Sequence, residues 1–282
     1  MPRKSWDELP DDVRAAIREQ AGTVEGVESA GHGFSSQFAA TLDTARGRVF
    51  LKGVRQDDPL AWTQAREAAV NPYVVPVGPR LLWRVRTDDW DLLGFEYLPG
   101  RSADFTPGSA DLPLVVEALT ALGRIPCPDI ELEDAVGRFG GRLDDPADAA
   151  LLAGTALLHT DWFHTNVHIT HGPPSGSTRS DGSHATGGGA HLVDWAWATR
   201  GAAWIDPACW VVWLGFAGHD PYGAEQWAAK VPAWSTASTR ELDVAATALR
   251  RYWRSTEDEH PNEWTHRLRA SADRWATYRL GS

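Results

Sequence analysis

His159-Thr160-Asp161-Trp162-Phe163-His164-Thr165-Asn166 is the stretch that decides the fold, together with Leu192-Val193-Asp194-Trp195 further on. The pattern is His-x-Asp-x-x-x-x-Asn, a strand, a loop, and a second strand that ends in Asp. Phosphoryl transfer needs this set of groups. A carboxylate must accept or orient the proton of the attacking hydroxyl, and hard oxygen donors must hold magnesium against a triphosphate. Asp161 suits the first task, Asn166 and Asp194 the second. An asparagine ligates the metal without adding negative charge beside the phosphates. Residues 166–169 and 191–194 read as the two strands of a hairpin. Between them, 171–190 is dominated by Gly, Ser, Thr and Pro, the composition of a flexible insertion that packs no core. Lengthening a loop that is already long costs little further entropy, so the hairpin tolerates it.

Toward the N-terminus, Ser5 and Glu8 have capping-box spacing and predict a helix through about Ala21. Strand-length runs follow at 23–30, 34–42 and 48–54, then a helical stretch at 59–70 with Trp62, Ala65 and Ala69 on one side. Two more strand-like runs, 81–86 and 92–98, lead to Pro99-Gly100, where the pattern breaks. Beyond it the chain predicts helices at 112–123, 146–158, 204–215, 239–256 and 262–278. Asp145 and Pro146 supply an N-cap and a proline at the first helical position. The expected architecture is α+β: a β-rich N-terminal lobe over 1–98 with one main internal helix, and a larger helical lobe over 99–282 that carries the insertion 171–190.

The loop and the segment 191–206 resemble the catalytic and metal-binding segments of aminoglycoside phosphotransferases and of their choline, homoserine and methylthioribose kinase relatives. These are small-molecule members of the protein-kinase-like fold. Asp194-Trp195 stands where protein kinases have Asp-Phe-Gly, and Gly201 and Asp206 fall at the family's further spacings. Thr160 stands where the family usually has Gly, and Trp162-Phe163-His164-Thr165 where it has Leu-His-Pro-Gly. The resemblance implies that Asp161 is the catalytic base, that Asn166 and Asp194 are magnesium ligands, and that ATP or GTP is the phosphoryl donor. It implies a nucleotide site in the N-terminal lobe: Gly31 and Gly33 let backbone N–H groups approach phosphates, Lys52 grips the triphosphate, Glu67 pairs with Lys52, and the backbone at Glu96 to Leu98 meets the base. His159 and Asp206 are expected to hold the loop.

Each residue also has a plainer reading. Asp161 and Asn166 are common turn residues, Gly31 and Gly33 fit an ordinary hairpin, Lys52 fits a solvated strand edge, and Asp206-Pro207 fits a helix start. It is their order along the chain that favours the kinase. The implied function is phosphorylation of a hydroxyl on a small molecule, an aminoglycoside-like antibiotic or a metabolite, with antibiotic resistance as one outcome. The alternative is a catalytically silent nucleotide- or ligand-binding module on the same fold.

Composition narrows the classes. The 282 residues are 43% hydrophobic and 23% charged, which suits a folded globular chain. A formal net charge of −11 disfavours nucleic acid and anionic membrane as partners and is compatible with a cationic acceptor. Cys127 and Cys209 form neither a disulfide framework nor a zinc motif. With no apolar leader and no long apolar run, the expectation is a cytoplasmic protein, as a monomer or weak dimer.

Overall fold

The computed structural model describes residues 3–31, 36–171 and 188–281. The chain divides into two compact units, Met1–Gly100 with Leu192–Trp197, and Arg101–His191 with Ala198–Ser282.

In the first unit the capping box forms, with the Ser5 N–H donating to Glu8 Oε2 at 2.6 Å. It caps only a single 3-10 turn, Trp6–Glu8, because Pro10 has no N–H to continue a helix. Helix α1 (Asp11–Ala21) starts behind that proline. An antiparallel sheet follows, made of β1 (Val24–Ser29), β2 (Phe38–Thr44), β3 (Gly47–Arg55), β4 (Leu81–Arg86) and β5 (Trp90–Glu96) in the order β1-β2-β3-β5-β4. Val13 and Ile17 of α1 are fully buried in a cluster with Phe38, Leu42, Leu51 and Leu92. Each such side chain contributes about 1.5–3 kcal/mol. Side chains alternate along β3, so Leu51 enters that core while Lys52 projects from the opposite face.

Helix α2 (Ala61–Val74) lies on that opposite face, and it corrects the expected burial. Apolar spacing points to Trp62, Ala65 and Ala69, whereas the buried face is Thr63, Gln64, Glu67, Val70, Asn71 and Val74; Trp62 is 40% exposed. The cause is a polar stripe at i, i+3, i+7. Gln64 Nε2 donates to the carbonyls of Lys52 (3.0 Å) and Asp91 (2.9 Å). Asn71 Nδ2 donates to the Pro79 carbonyl at 2.8 Å, and its Oδ1 accepts from the Leu81 N–H at 2.7 Å. These amides satisfy backbone groups that would otherwise be buried bare. Residues 192–197, expected with the second lobe, belong to this unit. The Leu192 N–H donates to the Val77 carbonyl at 2.7 Å, and Trp197 meets Trp62 edge-on at 5.2 Å.

The second unit runs through β6 (Arg101–Ser102), α3 (Leu112–Leu122), β7 (Glu133–Asp134), α4 (Ala135–Phe139), α5 (Pro146–Ala150), β8 (Ala156–Leu158), β9 (Val167–Thr170), β10 (Gly189–Leu192), β11 (Thr199–Gly201), α6 (Ile205–Phe216), α7 (Pro221–Ala228), α8 (Thr239–Glu259) and α9 (Glu263–Leu280). Two small sheets, β10-β9-β6 and β7-β11-β8, flank the loop that leads to Asn166. The helix expected over 146–158 stops at Ala150. A Cβ at Gly154 would come 2.4 Å from the Gly201 carbonyl oxygen, so the chain turns there against β11 and Ala156–Leu158 pairs with it as a strand. Buried side chains of α6, α8 and α9, among them Trp210, Ala246, Leu268 and Trp275, form the helical core. Ser271 donates its hydroxyl to the Val212 carbonyl at 2.7 Å, joining α9 to α6. Among the described residues, no helix is long and apolar enough to cross a membrane.

Candidate active site

Two sets of predicted residues are assembled, one in each unit. In the first, strand β3 delivers Lys52 into the space under α2, where its ammonium pairs with Glu67 and with Asp194 Oδ1, the latter at 3.0 Å. The Lys52 and Glu67 side chains are 8% and 4% exposed, and that of Asp194 is 26% exposed. Burial alone would push the ammonium down, but the charges of Asp194 and Glu67 outweigh it, and Lys52 is held well above the ordinary lysine range. Glu67 is pushed up to about 7, first by burial; Lys52 pulls it back and Asp194 adds to the rise. One cation cannot fully neutralise two carboxylates, and the deeper of the two bears the difference. The Trp195 N–H donates to Glu67 Oε1 at 3.4 Å, tying the segment after Asp194 to the same carboxylate. Asp194 has φ 61°, a left-handed conformation that Asp tolerates better than most residues.

The second set is built around Asp206 in the first turn of α6. Its carboxylate accepts the backbone N–H groups of His159 and Thr160, each at 2.8 Å, and the indole N–H of Trp162 at 2.9 Å. Burial pushes the Asp206 carboxyl up, while the hydrogen bonds from Trp162, His159 and Thr160 pull it back. Thr160 has φ 63°. That is the conformation for which glycine is suited, and a β-branched residue holds it at a cost of about 1–2 kcal/mol. The two N–H bonds to Asp206, from His159 and from Thr160 itself, hold the turn. His159, 1% exposed, turns its Nδ1 to the Asp161 N–H at 3.3 Å, which fixes the direction of the chain at the half-buried Asp161. Asn166 is buried in a 3-10 turn at the start of β9, and its Nδ2 donates to the Asp161 carbonyl at 3.3 Å. That bond commits the amide nitrogen and turns the amide oxygen, the hard donor, away from it.

Of the expected nucleotide contacts, Gly33 lies outside the described residues, as does 172–187 of the insertion. Gly31 is exposed after β1; a Cβ there would meet nothing within 4 Å among the described residues, and its φ is not left-handed. Glu96 ends β5 with its N–H committed to the Arg80 carbonyl at 2.9 Å, and Leu98 follows half-buried in irregular chain. Lys52, Glu67 and Asp194 thus form one cluster, and His159, Asp161, Asn166 and Asp206 the other. One participant is not apparent from motif spacing, Gln64, which holds the Lys52 carbonyl; Trp162 and Trp195 lie within the quoted motifs, but their contacts, the indole N–H to Asp206 and the backbone N–H to Glu67, do not follow from spacing. The polar stripe Gln64, Glu67, Asn71 was the available signal for Gln64; for Trp162 the sequence gives its place in the loop but not its partner, Asp206, which is 44 residues further on.

No protein-family profile and no curated relative matches the chain by sequence. Its structure, however, is similar to solved ones. An aminoglycoside phosphotransferase, APH(4)-Ia, in ternary complex with AMP-PNP and hygromycin B, aligns with a TM-score of 0.62 at 14% identity, covering 97% of this chain and 100% of that one. The choline kinase LicA from Streptococcus pneumoniae aligns with a TM-score of 0.60 at 11% identity, covering 95% and 100%. A candidate fructosamine-3-kinase from Haemophilus somnus 129PT aligns with a TM-score of 0.59 at 12% identity, covering 93% and 95%. The α+β fold, an antiparallel sheet followed by a mainly helical part, is the protein-kinase-like fold of these structures.

Proposed function

We propose, from a fold shared with small-molecule kinases, that this chain transfers the γ-phosphoryl group of ATP or GTP to a hydroxyl of a small molecule. The observation that carries the proposal is Lys52 held between Glu67 and Asp194. A buried lysine kept charged and fixed in direction by two carboxylates suits a group that grips a triphosphate, and a structural lysine does not need it. Gly31, Gly33 and the backbone from Glu96 to Leu98 are assigned to the same nucleotide. Asp161 accepts the proton of the acceptor hydroxyl as its oxygen attacks phosphorus, and the nucleoside diphosphate leaves. His159 and Asp206 fix the loop on which Asp161 stands, so the base is oriented before substrate binds.

Asn166 and Asp194 are assigned to magnesium, and their chemistry fits it. Both offer hard oxygen donors, and Asp194 already lies against a cation, Lys52. Among the described residues no cluster of three or more His, Cys, Asp or Glu side chains is arranged for a metal. A magnesium ion that rests on one or two side chains plus substrate phosphates and water needs no such cluster. When bound, the ion offsets charge on the phosphoryl oxygens.

Aminoglycoside-like antibiotics and hydroxylated metabolites are the acceptor classes to examine, and the net charge of −11 favours cationic members among them. The test is a screen of such compounds with ATP or GTP and magnesium, read by mass spectrometry for the gain of one phosphoryl group. Transfer to at least one acceptor supports the proposal. Nucleotide binding with no transfer and no slow hydrolysis across the screen would make the chain a silent binding module.

A further inference from the structure

The short connection between α2 and β4 lies against the backbone on either side of Asp194. The Val77 carbonyl accepts the Leu192 N–H at 2.7 Å. Gly78 is buried beside it, and a Cβ there would come 2.6 Å from the Leu192 carbonyl oxygen and 3.3 Å from the Trp195 indole nitrogen. The φ of Gly78 is not left-handed, so glycine is needed there for space and not for backbone conformation. The two atoms that such a Cβ would crowd are bonded to each other: the Trp195 indole N–H donates to the Leu192 carbonyl at 3.1 Å. The connection is itself anchored, because Asn71 of α2 holds the Pro79 carbonyl and the Leu81 N–H.

The geometry points to Gly78 and Trp195 as positioning residues for Asp194, a seat that sets the direction of its carboxylate toward a magnesium ion. The inference rests on the assignment of Asp194 to magnesium. Asp194 has φ 61°. A single non-glycine residue keeps that conformation where its surroundings over-determine it. Here the restraints bracket it. Upstream, Leu192 is bonded to Val77. Downstream, the Trp195 N–H reaches Glu67 Oε1 at 3.4 Å. Between them the indole bond closes a loop over Val193 and Asp194, and Gly78 lets the connection press against that bond. Lys52 meets the resulting carboxylate at 3.0 Å. Groups that orient a metal ligand act on metal affinity through it. A ring that only filled the core would need no N–H; here the N–H ties the backbone that carries the ligand.

The test is calorimetric binding of ATP, with magnesium and with EDTA, to the wild-type chain and to Trp195→Phe and Gly78→Ala. Magnesium is expected to raise the ATP affinity of the wild type. Trp195→Phe keeps a ring in place and removes the N–H. Its gain from magnesium is expected to shrink about fivefold, with affinity in EDTA changed by less than about twofold. Gly78→Ala is expected to shrink the gain about tenfold. If Gly78→Ala does not fold, Trp195→Phe makes the comparison by itself. A gain of wild-type size in Trp195→Phe, even with a lowered melting temperature, would make the contact one of packing only; that overturns the inference and leaves the phosphotransferase reading standing. A wild type that binds ATP equally with and without magnesium overturns the magnesium assignment, and this inference with it. A wild type that binds ATP in neither condition overturns the phosphotransferase reading as well.

Discussion

Glu67 and Asp206 are equally hidden, each 3% exposed, yet they are satisfied in opposite ways. Glu67 meets a cation, Lys52, and a second carboxylate, Asp194, competes for it. Asp206 draws its hydrogen bonds from N–H groups of a loop and an indole. The first arrangement is electrostatically frustrated: three ionisable groups share two signs of charge, and a bound cation or phosphate changes their balance. The second is a fixed frame, in which one carboxylate holds the backbone of residues 159 and 160 in place, including the left-handed turn at Thr160. The difference separates a cluster suited to respond to ligand from one suited to hold shape.

Substitutions can break or sharpen that contrast. The largest stability effect is expected for Asp206→Ala. It strands three buried donors at about 1–3 kcal/mol each, so a loss of about 4 kcal/mol or more is expected in urea denaturation; a loss below about 1 kcal/mol would mean that the loop does not depend on Asp206. Lys52→Met should act the other way round, on activity. Phosphoryl transfer is expected to fall by roughly a hundredfold or more, about 3 kcal/mol, while the melting temperature falls by only a few degrees, because Glu67 without its cation takes up a proton rather than remaining a buried charge. A Lys52→Met chain that unfolds while Asp206→Ala stays folded would reverse the assignment of the two regions.

The smallest effect is a pH dependence. Glu67 is raised from its ordinary value of 4.5 to about 7. A carboxyl raised in the folded state contributes stability that is complete below its unfolded pKa and is lost as pH rises through the folded one. Between about pH 4.5 and 7, the stability of the wild type relative to Glu67→Gln should therefore fall by up to about 3 kcal/mol. Paired urea titrations across that range measure it, and a difference that grows with pH would place the shift in the wrong direction.

The two regions were not equally legible in the sequence. The α+β order, with a sheet before the helices, follows from short alternating runs giving way to long helical spacing at Pro99-Gly100, and the boundaries of β4 agree at both ends. The face of α2 was not legible, because hydrophobic periodicity assumes an apolar buried side, and here Gln64, Glu67 and Asn71 are buried to serve backbone groups and Lys52. The helix expected over 146–158 failed for a long-range reason: pairing with β11, distant in sequence, overrides local helical preference after Ala150. Strands of two or three residues such as β6, β7 and β11 are too short to show a period. The order His159, Asp161, Asn166 was readable because the spacing is local, and Asp194 because it closes the strand that follows the insertion. The donors to Asp206 were not, since Trp162 and Asp206 meet only through the fold.

The central claim is that Asp161 takes the proton of an acceptor hydroxyl during phosphoryl transfer. Its most direct test is single-turnover transfer by wild type and Asp161→Asn to an acceptor identified in the screen, with MgATP affinity measured on both proteins. The account predicts transfer slowed by about a thousandfold with nucleotide affinity within about twofold. Transfer by Asp161→Asn at the wild-type rate would contradict it.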